Sequence, residues 1–423
     1  MTDPDGPSTP RRIAVVGAAG HVGLGFSLVL VDAGYDVTGI DINLDAIEAI
    51  RGGVMPFEEE RGEEYLARAL ASGRLTLTDD LDEVADAEVV AIVVGTPLDT
   101  AGGATADPLS HVLDNLTPHL RAGQLLVLRS TIIPGTTDRA RDLLVAATGM
   151  AEGQDFDLVY APERVLEGRC IVELPVVPQL IGAYSDRGFE RAEAFFRAYL
   201  QAGCWRLTPV EAEIGKLAAN VERYIRFAFA NELYMLADRM GADAHRLIEA
   251  VNRDYPRAAI ARPGANVGGP CLPKDSRFFG ESMPFVGLSA VAHEINEGMP
   301  AYIAERAAAL GARRVAVLGV SFKADSDDTR GTLAFALLER LQQAGLHAAA
   351  YDPNVPDFTD PEALRDADLL VLMTPHRAFA DLEEMRRLVG HADCRVLDIW
   401  GFWPAARAVS ANGLFMLADG LRA

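Results

Sequence analysis

The sequence predicts an α/β protein in which two doubly wound domains are joined by a long central helix. Short apolar strands alternate with helical patterns in both end regions of the chain, and a long stretch poor in glycine and proline separates them. At 423 residues the chain is also too long for one ordinary core. The predicted domains span residues 1–207, 208–300 and 301–423.

The first element of the chain is a β-branched strand at residues 13–16. Gly17, Gly20 and Gly23 follow it, and the next strand ends at Asp41. Glycines allow a tight turn and a close approach of the backbone to a pyrophosphate at a helix N-terminus. Asp41 is placed to accept hydrogen bonds from ribose hydroxyls, which favours NAD over NADP. The pattern therefore predicts a Rossmann-like NAD site; a purely structural turn is the alternative.

Polar residues follow two further predicted strands, 89–94 and 125–128, with predicted helices at 109–120 and 137–147. The carboxyl ends of strands in an open α/β sheet are where ligands bind. The hydroxyl groups there are expected to contact the cofactor or to position a water, and a helix cap is the alternative. The residues concerned are Thr96, Pro97, Ser130 and Thr131.

Two carboxylates, Glu163 and Glu167, stand four residues apart in the run PERVLEG. If this segment were helical, both would face one way and could hold a water or a proton. A solvated surface pair is the alternative.

The stretch 209–240 predicts one long helix, followed by a second at 244–251. Lys216 and Asn220 lie one turn apart on the long helix and form a plausible donor pair for a developing oxyanion. Only three of the 39 basic residues are lysines, and all three lie inside motifs. We therefore expect the three lysines to stand at places where an arginine could not perform the same chemistry. An ordinary surface lysine is the alternative.

The most specific motif is the run 264–275, GANVGGPCLPKD, which carries Cys271. None of the four cysteines has CxxC spacing, so the pattern predicts neither a metal cluster nor a disulfide framework. A helix start and nearby Lys274 favour the reactive thiolate of Cys271. Asp275, four residues on, can act as a base or orient water; a buried inert cysteine is the alternative.

In the C-terminal region, alternation returns with strands at 314–320, 347–351 and 369–373 and a helix at 332–343. The loop after the first of these strands contains Phe322, Lys323 and Arg330. The two cations suit a second, phosphorylated ligand, although an ordinary capped loop has the same pattern.

The formal net charge of −22 disfavours nucleic acid as a partner. No apolar run is long enough to span a bilayer, and the first twelve residues lack the apolar stretch of a signal peptide. We therefore expect a cytoplasmic protein without a nucleic-acid or membrane partner.

In the order of these motifs and in the residues that form them, the chain resembles the UDP-glucose/GDP-mannose dehydrogenase family over nearly its whole length. The GGPCLPKD run and the FK…DDTR run carry the resemblance most specifically. The resemblance implies an N-terminal NAD domain, a helical dimerisation segment and a C-terminal domain for a nucleotide sugar. It also implies a homodimer and a four-electron oxidation of the sugar C6 alcohol to a carboxylate.

Residue roles follow from the same resemblance, which implies that Cys271 forms a thioester with the substrate. The implied catalytic set is Cys271, Lys216, Asn220, Asp275, Thr131, Glu163 and Glu167. The implied cofactor set is Gly17, Gly20, His21, Val22, Gly23, Asp41, Thr96, Pro97, Ser130, Thr131, Lys274 and Arg330. The implied substrate set is Glu163, Val165, Leu166, Lys216, Asn220, Arg257, Gly268, Phe322 and Lys323, with Arg330 at its border.

The motifs combine features of two branches of the family, which differ in the sugar that they oxidise. The PERVL stretch and the VGGPC loop resemble the branch that oxidises N-acetylhexosamine nucleotides, whereas Glu167 resembles the glucose branch. We expect UDP- or dTDP-glucose as substrate, with UDP-N-acetylmannosamine or N-acetylglucosamine as the alternative. A two-electron hydroxy-acid dehydrogenase and a non-catalytic sugar-nucleotide sensor are the rival classes.

Overall fold

A computed structural model describes residues 12–96, 107–404 and 412–417. By internal contacts the chain forms two compact units, residues 1–219 and 220–423. The division falls inside the central helix, so this helix begins in one unit and ends in the other.

The first unit is built on an eight-stranded sheet in the order β3-β2-β1-β4-β5-β6-β7-β8. Neighbouring strands are parallel except for β6 and β7. The strands are β1 Arg12–Val16, β2 Asp36–Ile40, β3 Leu75–Thr78, β4 Val89–Ile92, β5 Leu125–Leu128, β6 Asp157–Tyr160, β7 Gln179–Ala183 and β8 Cys204–Leu207. The helices are α1 His21–Asp32, α2 Leu44–Arg51, α3 Gly62–Ser72, α4 Asp107–Leu116, α5 Thr136–Thr148, α6 Cys170–Glu173 and α7 Asp186–Phe196.

Both faces of this sheet are covered. Along β1, Ile13 and Val15 pack into one hydrophobic cluster, whereas Ala14 and Val16 pack into another. Because successive side chains of a strand point to opposite faces, both faces must be buried under helices. This arrangement confirms the predicted doubly wound class.

The central helix, α8, spans Pro209–Arg239. The sequence predicted it to end one residue later, at position 240. It lacks proline after its first residue, which agrees with an unbroken helix of this length.

The second unit carries a five-stranded sheet in the order β10-β9-β11-β12-β13, parallel except for β12 and β13. Its strands are β9 Arg314–Leu318, β10 His347–Tyr351, β11 Leu369–Leu372, β12 Arg395–Leu397 and β13 Leu414–Met416. Its helices are α9 Ala244–Asn252, α10 Leu272–Glu281, α11 Leu288–Glu297, α12 Met299–Ala309, α13 Ala334–Gln343 and α14 Leu382–Val389. Val315 and Val317 face one cluster and Ala316 and Leu318 the other, as in the first sheet.

One predicted helix, 109–120, is wrong at its end. Helix α4 stops at Leu116 and a short 3-10 turn follows. Pro118 has no backbone N–H to continue the α-helix, and the Thr117 hydroxyl bonds the Leu113 carbonyl oxygen over 2.7 Å.

Among the helices of the described ranges, none is long and apolar enough to cross a bilayer.

Candidate active site

The cofactor turn connects β1 to α1. Gly17 has φ +91°, and a Cβ there would lie 2.5 Å from the carbonyl oxygen of Val93. A Cβ on Gly23 would lie 1.9 Å from the carbonyl oxygen of Gly17. Both positions therefore require glycine for steric reasons. Gly20 is the N-cap of α1, which has no acidic residue in its first turn, so its positive end suits an anionic pyrophosphate.

Asp41 follows β2 directly. Its two carboxylate oxygens accept hydrogen bonds from the backbone N–H groups of Ala19 (2.8 Å) and Asn43 (3.0 Å). These bonds hold the acid beside the turn, and the side chain remains partly exposed. Turn, helix start and acid together have the arrangement of an NAD-binding site.

The loops after β4 and β5 are tied to each other. The Thr96 hydroxyl donates to the carbonyl oxygen of Thr131 over 2.6 Å, and the Ser130 hydroxyl donates to that of Val94 over 2.7 Å. The structure thus brings these predicted residues together at the carboxyl edge of the sheet. Pro97 lies outside the described residues.

Glu163 follows β6 and is bound by donors of its own chain. One carboxylate oxygen accepts from the backbone N–H groups of Arg164 (2.7 Å) and Val165 (2.9 Å), and the other pairs with Arg129. The Arg129 side chain is fully buried and lies 4.2 Å from the Phe26 ring centre. Burial lowers the pKa of Arg129, but the nearby Glu163 carboxylate contributes most to outweighing this effect, so the pKa of Arg129 is raised and its guanidinium stays charged.

Glu167 lies against the cofactor turn instead. One of its carboxylate oxygens is 3.2 Å from Nε2 of His21, whose ring stacks on Phe57 at 4.1 Å between ring centres. The helix that would place Glu163 and Glu167 on one face does not form. The segment is irregular because the Glu163 carboxylate binds the N–H groups that follow it.

In the second unit, Cys271 is the N-cap of α10 and its side chain is exposed. The Asp275 N–H donates to the Cys271 carbonyl oxygen over 2.9 Å, and the Asp275 side chain is almost completely buried. The Asn220 amide donates to the Asp275 carboxylate over 2.6 Å. Three of the predicted catalytic residues therefore form one connected group, and Lys216 lies one turn before Asn220 on α8.

The loop before Cys271 packs on the loop after β9. The Gly269 N–H donates to the Gly331 carbonyl oxygen over 2.8 Å. A Cβ on Gly268 would lie 2.3 Å from that same oxygen, and one on Gly269, whose φ is +88°, would lie 2.6 Å from the Phe322 ring. The structure thus joins the cysteine motif to the Lys323 motif through positions that only glycine can occupy.

Asn266 is a residue to which the sequence assigned no role. Its buried side-chain amide donates to the Ser321 carbonyl oxygen and the hydroxyls of Thr332 and Thr374, at 2.9 to 3.0 Å. Its amide oxygen accepts from the Leu333 N–H over 2.8 Å. This one side chain links the cysteine loop to the ends of β9 and β11. Its place inside the glycine-rich run was the only available signal.

A buried pair, Asp352 and His376, holds the loop after β9 in place. His376 Nε2 lies 3.0 Å from the Asp352 carboxylate, while Nδ1 accepts from the Asp325 N–H over 2.8 Å. Asp352 also accepts from the N–H groups of Val320 and Ser321. Asp352 follows the second strand of its sheet as Asp41 does, but Asp352 is fully buried whereas Asp41 is partly exposed.

The other predicted residues lie as follows. Lys323 is 5.7 Å from the Phe322 ring centre, and Lys274 is 5.8 Å from that of Phe278. Arg330 forms a forked pair with Asp328. Arg257 lies in the loop after α9 and bonds the Tyr255 hydroxyl over 3.1 Å. Val165 packs on the core of the first unit, Leu166 is exposed, and Val22 lies in the first turn of α1.

Three segments of the chain match domains of one family. Residues 11–200 match the UDP-glucose/GDP-mannose dehydrogenase family NAD binding domain, 210–297 its central domain and 316–405 its UDP binding domain. The chain is 34% identical to UDP-N-acetyl-D-mannosamine dehydrogenase of Pyrococcus horikoshii, covering 87% of this chain and 90% of that one. It is 31% identical to NDP-N-acetyl-D-galactosaminuronic acid dehydrogenase of Ralstonia nicotianae, covering 94% and 97%.

A solved structure of UDP-D-ManNAc dehydrogenase from Pyrococcus horikoshii matches with a TM-score of 0.84 at 32% identity, covering 90% of this chain and 93% of that one. The matches run through the glycine turn, the central helix and the cysteine loop. This chain therefore belongs to the UDP-glucose/GDP-mannose dehydrogenase family.

Proposed function

We propose that this chain oxidises the C6 alcohol of a UDP-linked N-acetylhexosamine to a carboxylate, with UDP-N-acetylmannosamine as the first candidate. The named activity of the Pyrococcus horikoshii relative carries this proposal. The Ralstonia nicotianae relative, which is also named for an N-acetylated sugar, supports the same class. The relatives support this alternative better than the UDP- or dTDP-glucose that the motifs led us to expect first.

By family, the chain is an NAD-dependent nucleotide-sugar dehydrogenase. When bound, NAD would supply the hydride acceptor for oxidation of the sugar carbon. The turn at Gly17–Gly23 would hold its pyrophosphate and Asp41 its ribose. Thr96, Ser130 and Thr131 would lie along it at the carboxyl edge of the sheet.

The proposed covalent step belongs to Cys271. Its thiolate attacks the aldehyde carbon made by the first oxidation, the second oxidation yields a thioester, and water releases the carboxylate. The exposed position at the start of α10 supports this role, because the positive end of a helix favours a thiolate.

Asn220 and Lys216 are proposed to stabilise the oxyanions that form on the attacked carbon. The buried Asp275 carboxylate supports the role of Asn220, since its bond holds the amide in one orientation. Asp275 itself would assist proton transfer. Glu163, Glu167 and Thr131 are proposed to hold the water and the sugar.

The three domain roles are proposed together. Residues 1–207 bind NAD, 208–300 form a homodimer and 301–423 bind the nucleotide sugar. Phe229, Leu236 and Met240 support the dimer, because these large apolar side chains are 52%, 58% and 75% exposed and recur along one side of α8 and its end. Light scattering after size exclusion would give twice the 45.4 kDa chain mass, and a monomer would contradict this part.

The deciding experiment counts NADH formed per sugar consumed on UDP-, dTDP- and GDP-linked glucose, mannose and N-acetylhexosamines. Two NADH per sugar, with an N-acetylhexosamine preferred, is the expected result. One NADH per sugar would remove the thioester role of Cys271. Preference for glucose would overturn the substrate class but leave the chemistry in place.

A further inference from the structure

Glu213 is a fully buried carboxylate in the second turn of α8. Its oxygens accept three hydrogen bonds from the start of α5: the Gly135 N–H at 2.5 Å, the Thr137 N–H at 2.7 Å and the Thr137 hydroxyl at 2.6 Å. The contact therefore joins two helices through residues that are 76 to 78 positions apart in the chain.

Helix α5 needs such a partner. Its N-cap is Gly135, with φ +87° and no side chain to bind the first N–H groups of the helix. These groups have no acceptor inside the helix, and a negative charge at this end is favoured by the helix dipole. Glu213 supplies the acceptor from a distant part of the chain, and its carboxylate adds to the negative charge of Asp138 in the first turn of α5.

The two ends of this contact lead to predicted site residues. Lys216 follows Glu213 by three residues, so the two side chains are neighbours on α8. Gly135 follows Thr131 by four residues, at the end of the loop that Thr96 and Ser130 tie to the loop after β4. We infer that Glu213 is a positioning residue that holds the Lys216 turn of α8 against the loop carrying Thr131. This inference rests on the oxyanion role proposed for Lys216.

A carboxylate is an unusual choice for this place. Burial raises the pKa of Glu213, while the bonds from Thr137 and Gly135 lower it only in part. A carboxylate without these bonds would be costly to bury. An apolar side chain would pack the helix without fixing its rotation or its distance from α5, whereas three directed bonds fix both.

The test uses Glu213→Gln, which keeps the size of the side chain but replaces one acceptor oxygen by an NH₂ group facing backbone N–H donors. A shift of the Lys216 turn should lower kcat by between about 10-fold and 100-fold, with the KM for NAD unchanged. Glu211→Gln is the matched control, because Glu211 is an exposed glutamate in the first turn of α8 whose carboxylate accepts hydrogen bonds from Thr208. It should leave kcat unchanged.

A double variant separates positioning from general damage. In the Lys216→Ala background, Glu213→Gln should lower kcat little further, because the residue it positions is gone. Equal loss of kcat in both backgrounds would overturn the inference while leaving the proposed function in place. Unchanged kcat in Lys216→Ala alone would instead remove the proposed role of Lys216, and the inference with it.

Thr137→Val is a milder second variant, should Glu213→Gln fail to fold. It removes one of the three bonds from the α5 side and keeps the shape of the side chain. We expect Thr137→Val to lower kcat less than Glu213→Gln does. In the Lys216→Ala background, Thr137→Val should again lower kcat little further. A folded Thr137→Val enzyme with wild-type kcat would count against the inference.

Discussion

The side-chain amide of Asn220 donates a hydrogen bond over 2.6 Å to the carboxylate of Asp275, which is only 1% exposed. The two residues belong to different motifs and different helices. Because the carboxylate binds the NH₂ group, the orientation of the amide is set before any substrate arrives. Such preorganised donors contribute most where charge develops during a reaction.

Asn220→Ala should lower kcat by about 10² to 10³-fold, the usual effect of losing one oxyanion donor. It should also lower the unfolding temperature, because Asp275 loses a partner while buried. Steady-state kinetics and a thermal melt measure both effects. Asn115→Ala, on the exposed face of α4, is the control. A wild-type kcat in Asn220→Ala would rule out an oxyanion role.

Cys271→Ser should abolish formation of the carboxylate product, because a serine hydroxyl lacks the nucleophilicity of a thiolate. Product analysis by mass spectrometry would detect the loss. Cys204→Ser is the control, since that half-buried cysteine lies in β8 of the other unit. If Cys271→Ser still forms the carboxylate at the normal rate, the thioester must be abandoned.

Arg129→Met should destabilise the first unit by about 3–5 kcal/mol, because it leaves the Glu163 carboxylate largely buried without its cation. Adding Glu163→Gln removes that charge and should recover much of the loss. Urea unfolding of both variants measures the difference. Equal midpoints for the single and double variants would show that the two side chains are not coupled.

The glycines of the cofactor turn should differ in their tolerance of a methyl group. Gly23→Ala places a Cβ 1.9 Å from the Gly17 carbonyl oxygen, so both the melting temperature and NAD affinity should fall. Gly20→Ala is its matched partner, since its Cβ would lie 3.6 Å from the same oxygen, an ordinary contact. This variant should keep its melting temperature, and a loss of NAD affinity in it would place the cofactor beside Gly20. Equal melting temperatures for Gly23→Ala and the wild type would contradict the steric argument.

Asp352 predicts a pH dependence of stability. Burial raises the pKa of Asp352, but the bonds from His376 and the N–H groups of Asn354 and Val320 outweigh it, and the pKa lies below its ordinary value. A depressed carboxyl pKa contributes stability that is present above the unfolded value, about 3.9, and is lost as the pH falls through the folded value. Asp352→Asn should therefore lower stability near pH 7 but flatten the decline below about pH 4. Parallel pH profiles for wild type and variant in a thermal melt would contradict this.

Much of the fold could be predicted from local patterns. The glycine turn, Asp41 and the unbroken run of α8 are properties of neighbouring residues, and the structure has them where the sequence placed them. The strands β3, β6, β7, β8 and β13 were not predicted. Of these, β8 contains Trp205 and Arg206, is largely exposed and does not have the pattern of a buried strand.

Part of the candidate site could be recognised from contiguous sequence and part could not. The cysteine loop was recognisable because its glycines, proline and acid are contiguous. Asn266, Glu213 and Arg129 were not recognisable, because each acts on a residue far away in the chain. The nearest signals were a charged residue closing the apolar run LLVLR and an acid three residues before a rare lysine.

The sequence by itself determined the fold class, the NAD turn and the family, because periodicity and contiguous motifs depend only on residues that are close together in the chain. Only the tertiary structure decided which polar groups become partners. Glu163 meets Arg129 because β5 and β6 are neighbours in the sheet, and Glu167 meets His21 because its loop reaches the cofactor turn. A buried polar group must find a partner wherever the fold provides one, and strand order, which no local pattern encodes, decides where that is.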